Sequence, residues 1–98
     1  PDLRNTRVID LIEALKSYGM EAEVVDPWVD LKHTSRQYGI NAMKTIPQSV
    51  KYEAVIAAVA HKQFKSLTIN NWKGLIQTKG IIVDLKGIVP RKLNPIRL

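Results

Sequence analysis

The chain has no cysteine. Disulfide staples are therefore excluded, and so are a thiol nucleophile and thiolate metal ligands. Aromatic residues make up only 6% of it, with a lone phenylalanine, Phe64. So few rings leave little for stacking against bases, and no nucleic-acid-binding module is recognisable. The two histidines, His33 and His61, have no partners at metal-ligand spacing, which argues against a metal site. Neither kind of glycine-rich phosphate loop occurs, and there is no serine nucleophile elbow. No apolar stretch approaches the roughly 20 residues that span a bilayer, and no signal-peptide pattern is present. A soluble, cytoplasmic protein is the expectation. Acidic residues are scarce in the second half: residues 51–98 hold 2 acidic and 9 basic side chains, against 7 and 6 in residues 1–50. The net charge of +6 therefore comes from the second half. Such a bias points to an anionic partner such as a phosphate, a nucleotide, nucleic acid or an acidic protein, with a plain solvated surface as the alternative.

With 98 residues, 45% of them hydrophobic and 24% charged, the chain has the dimensions of one small globular domain, residues 1–98, with a modest core. It is organised around Ala54-Val55-Ile56-Ala57-Ala58-Val59-Ala60, an unbroken apolar run that ends at His61-Lys62-Gln63. A run with no polar residue at alternate positions reads as a strand covered on both faces, the kind found in the middle of parallel sheets. A buried helix is the competing reading. The run is short for one, and Tyr52, Val55, Ile56 and Val59 favour the strand.

Before this run, Asn5 or Thr6 can cap a helix over about 6–18, with Val8, Leu11, Ile12 and Leu15 on one face and Gly19 as its stop. Residues 20–25 form a strand ended by Asp26-Pro27. A weakly amphipathic helix follows over about 30–38, stopped by Gly39. Residues 40–50 are mixed, with Pro47 opening a short helical turn. After the run, residues 62–67 supply one helical turn. Asn70 caps a helix carrying Trp72, Leu75 and Ile76, with Gly80 beyond its end. Gly80-Ile81-Ile82-Val83 is a second apolar strand, and the tail, with Pro90 and Pro95, is irregular. The alternation of helix and strand predicts an α/β fold with a mostly parallel sheet.

In such sheets ligands bind beyond the carboxyl ends of the strands. The residues there are Asp26, His61 with Lys62, and Asp84 with Lys86. Each has a plainer reading. Asp26 before proline is a turn former, His61 a structural rim residue and Lys86 a solvated lysine. Trp28 and Trp72 read as core or interface. Arg4, between Asp2 and Asn5 at a helix start, either binds phosphate with the helix amides or pairs with Asp2.

Five strings in order carry a resemblance: Asp2-Leu3-Arg4-Asn5-Thr6, Tyr18-Gly19, Asp26-Pro27-Trp28, Ala58-Val59-Ala60-His61-Lys62 with Phe64, and Val83-Asp84-Leu85-Lys86-Gly87. Together they resemble the C-terminal domain of the UDP-glucose/GDP-mannose dehydrogenase family, in the branch that oxidises UDP-N-acetylhexosamines for bacterial surface polysaccharides. The resemblance implies a small Rossmann-like three-layer domain that closes over the UDP part of a nucleotide sugar. The full enzyme oxidises C6 to a carboxylate in two NAD-dependent steps. An N-terminal domain binds NAD, a central helical region makes a homodimer, and the catalytic cysteine and lysines lie outside this chain, so no catalytic residue is expected in it. Carried over, Arg4 approaches the NAD pyrophosphate. Lys86 lies near the position where members present a basic residue to the nucleotide sugar, and His61 and Lys62 share that rim. Members begin this domain with a strand and a Phe-Lys segment ahead of the Pro-Asp-Leu-Arg string. With that first strand missing, the sheet is expected to have a gap, to expose strand edges or to recruit a strand from another copy. The piece alone is expected to be inactive. A stand-alone Rossmann-like module that binds an anionic ligand without catalysis is the alternative.

Overall fold

A computed structural model describes residues 6–27 and 41–97. Arg4, Trp28 and the helix expected over 30–38 lie outside the described residues. The chain divides between Ile46 and Pro47 into two compact units.

In the first unit, α1 (Thr6–Ser17) leads into β1 (Glu23–Val25), which pairs in parallel with β2 (Asn41–Met43), Val24 standing opposite Ala42. The helix buries the face that its 3.6-residue period predicts. Ile12 is buried, and Val8, Val24, Ala22 and Ala42 pack against it. The helix stops at Gly19, which holds φ +82°, a left-handed conformation that costs glycine little. The Met20 amide donates to the Leu15 carbonyl at 3.1 Å and the Gly19 amide to that of Lys16 at 2.9 Å, the paired bonds of a Schellman ending. Strand β2 falls in the stretch read from sequence as mixed, and the turn expected at Pro47 is a bend without helix.

The second unit holds β3 (Tyr52–Ala57), α2 (Lys62–Lys65), α3 (Ile69–Lys73), β4 (Ile76–Asp84), a 3-10 turn (Arg91–Leu93) and β5 (Ile96–Arg97). Its three strands run parallel in the order β3-β4-β5. The parallel α/β architecture is thus the one expected, and the two apolar runs lie side by side. Three details differ. Within this sheet β4 is the middle strand and β3 flanks it, and β3 ends at Ala57, leaving Ala58-Val59-Ala60 as irregular chain. The helix expected to run toward Gly80 is capped by Thr68 and ends at Lys73, with Gly74 as its C-cap. Thr68 and Asn71 bond each other's backbone amides in a capping box, which fixes the start two residues before Asn70. Ile76 consequently begins a strand. Residues between Ile76 and Ile81 bulge, since Tyr52 pairs with Ile76 and Ala54 with Ile81. The tail adds β5, with Pro95 just ahead of it, where a missing N–H removes no ladder bond.

Alternation along the strands separates two faces. The face of Ala57, Ile82 and Asp84 is buried, while Ile81 and Ile96 on the other are exposed. Trp72, Leu75 and Val89 complete the unit's buried set. No helix among the described residues is long and apolar enough to cross a membrane.

Candidate functional site at the strand ends

Because β3 and β4 are parallel and Ala57 stands opposite Asp84, both strands deliver their following loops to one edge of the sheet. The Leu85 amide donates to the Ala57 carbonyl at 3.0 Å and extends the pairing one step into the loop. His61-Lys62 and Asp84-Leu85-Lys86-Gly87 therefore share that edge.

Each of these residues has a definite local task. His61 is the N-cap of α2: its Nδ1 accepts from the Gln63 amide at 3.1 Å. An accepting Nδ1 puts the proton of the neutral ring on Nε2. That nitrogen is buried, and the ring tilts against Phe64 with centroids 5.6 Å apart. His61 thus fixes the start of the helical turn, and Lys62, its first residue, is exposed. Lys86 is exposed on the loop after β4.

Asp84 is the buried centre of that loop, with 2% of its surface accessible. Its Oδ1 accepts from the amides of Lys86 at 3.3 Å, Gly87 at 2.9 Å and Ile88 at 3.2 Å. Its Oδ2 accepts from the amide of Val89 at 2.9 Å and pairs with Arg97 Nε at 3.2 Å. Arg97 also donates to the Val89 carbonyl. Gly87 turns the chain with φ +75°, which lets consecutive amides face inward. Burial works to raise the Asp84 pKa, but the hydrogen bonds from Val89, Ile88, Lys86 and Gly87 outweigh it, so the carboxyl titrates below its ordinary value. This has a chemical consequence. The amides that could have cradled a phosphate are spent on an anion the chain supplies itself. The loop after β4 can therefore offer an anion its side chain rather than its amides, and Lys62 and Lys86 are exposed cations on the two segments.

Asp26, at the carboxyl end of β1, is buried, and its amide donates to the Met43 carbonyl at 2.9 Å. This bond extends the β1–β2 pairing one step past Val25. Sequence pattern gives no hint of Arg97, because nothing in the proline-containing tail signals that it folds back on Asp84.

Compared with known proteins, residues 1–91 match the UDP binding domain of the UDP-glucose/GDP-mannose dehydrogenase family. The chain belongs to this family. It is 38% identical over its whole length to the UDP-N-acetyl-D-glucosamine 6-dehydrogenase of Salmonella typhi, covering 23% of that protein. The same-named enzyme of Pseudomonas aeruginosa is 36% identical, again over the whole chain and 23% of the relative. Protein CapL of Staphylococcus aureus is 35% identical over 91% of the chain and 20% of the relative. The chain thus spans about a quarter of the curated relatives it matches. No solved structure matches it.

Proposed function

We propose that this chain is the UDP-binding domain of an NAD-dependent nucleotide-sugar 6-dehydrogenase. The parent protein oxidises a UDP-hexose or UDP-N-acetylhexosamine to the uronic acid for cell-surface polysaccharide synthesis, as a cytoplasmic homodimer. The observation that carries this reading is the family match over residues 1–91, joined to a strand-end edge whose free cations are lysines. In this reading Lys86 and Lys62 face the diphosphate of UDP. His61 contributes by capping the turn that carries Lys62. A diphosphate held by ammonium groups gains charge-assisted bonds stronger than neutral ones.

The loop after β4 keeps its amides for Asp84, so it offers no amide nest to a pyrophosphate, whether of NAD or of UDP. NAD is assigned to the parent's N-terminal domain, with Arg4 as the single proposed contact from this chain. The piece alone is expected to be inactive.

The test is NADH formation by the intact parent protein supplied with NAD and UDP-N-acetylglucosamine, UDP-N-acetylgalactosamine or UDP-glucose. One of them should be oxidised, with two NADH released per sugar. No NADH from any of the three would overturn the proposal.

A further inference from the structure

Asp84 and Arg97 belong to no ligand contact in the reading above, yet they hold the loop that carries Lys86. The carboxylate gathers four successive amides, from Lys86 to Val89, and so dictates the backbone path directly around Lys86. Arg97 sits opposite Asp84 in the β4–β5 pairing, and its guanidinium binds both the Asp84 carboxylate and the Val89 carbonyl. The loop is thereby closed at its neck by a residue thirteen positions further along the chain. The Asp84 side chain is fully buried and the Arg97 side chain is 31% exposed, so the pair is partly screened but anchored.

We infer that Asp84 and Arg97 are positioning residues for nucleotide binding, acting through Lys86 by fixing the loop that presents its ammonium group. This inference rests on the proposed role of Lys86. A lysine on a four-carbon stem loses considerable rotamer freedom on binding. A fixed backbone beneath it removes the further cost of ordering the loop. Loosening the loop should therefore weaken UDP without touching the reacting carbon, while removing Lys86 should make the state of the loop irrelevant to UDP.

The experiment is a double-mutant cycle in the intact parent protein, with UDP as the probe and its Kd read by calorimetry. The singles are Lys86→Ala, Asp84→Asn and Arg97→Gln, and the doubles combine each loop variant with Lys86→Ala. Lys86→Ala should weaken UDP about tenfold or more, the scale of a lost charge-assisted bond. Asp84→Asn and Arg97→Gln should each weaken it roughly threefold to tenfold alone, and less than about twofold on top of Lys86→Ala, the non-additivity expected of residues that act as a unit. Equal effects in both backgrounds, or unchanged affinity in the folded single variants, would overturn the inference and leave the Lys86 assignment standing. Unchanged affinity in Lys86→Ala would sink the assignment itself, and the inference with it. Should Asp84→Asn fail to fold, the Arg97→Gln cycle decides alone, since that side chain is partly exposed.

Discussion

Replacing Asp84 by Asn is the sharpest single perturbation of this domain, because it preserves shape and removes charge. Two orientations are open to the amide. With its oxygen toward the Lys86, Gly87 and Ile88 amides, its NH2 faces the Val89 amide and Arg97 Nε, and donor meets donor. Flipped, it satisfies Val89 and confronts three amides instead. The first orientation leaves fewer groups unpaired and should prevail. The buried Val89 amide then loses its acceptor, at a cost of about 1–3 kcal/mol. Local opening of the loop becomes easier by that amount, so Val89 amide exchange should speed up roughly 5–150-fold. Hydrogen exchange read by NMR or mass spectrometry over residues 84–97 measures it directly. Unchanged protection at Val89 in the folded variant would mean that the Asp84 carboxylate does not hold that amide.

The same substitution has a pH signature. A carboxyl whose folded pKa lies below its unfolded value stabilises the fold above the unfolded value, and that contribution is lost as pH falls through the folded one. Asp84 is such a group. The stability difference between the natural protein and Asp84→Asn should hold steady from neutral pH to about 5 and shrink only below the ordinary carboxylate pKa of about 3.9. A difference that disappears at pH 6 would point to another group.

Three further outcomes follow from the packing. Ile12→Ala should cost about 2–5 kcal/mol and appear as faster exchange across α1, since Ile12 is 4% exposed among Val8, Ala22, Val24 and Ala42; exchange unchanged in α1 would place the unit's core elsewhere. Thr68→Ala should destabilise by about 0.5–2 kcal/mol through loss of the capping box, read as increased fraying of α3 amides, and an unaffected helix would count against the cap. Gly87→Ala should cost about 1–2 kcal/mol because an L side chain is strained at φ +75°; a neutral thermal melt would show that the turn has another conformation.

The sequence and the structure agree where hydrophobic patterning is strong. The apolar runs around Val55 and Ile82 announced two parallel strands, and the spacing of Val8, Ile12 and Leu15 announced α1. They part where two signals compete. Trp72, Leu75 and Ile76 continue a helical period, but Gly74 caps the helix first, and Ile76 is drawn into pairing with Tyr52. Strand β2 is too short for any period to register. The strand ends and their lysines were visible as candidates, because parallel pairing sends following loops to one edge. The bonds that hold that loop were not visible. Asp84 looked like one more charged strand end, and its partners are amides that only the folded turn brings together, plus an arginine from the far side of two prolines.

A uridine nucleotide bound at the carboxyl ends of β3 and β4, as proposed, would shield the loops that follow both strands. Amide exchange of the intact parent protein, with and without saturating UDP, tests it most directly. Exchange in segments 57–65 and 84–89 should slow on adding UDP. Bound nucleotide that leaves both segments unchanged while protecting other parts of the chain would contradict it.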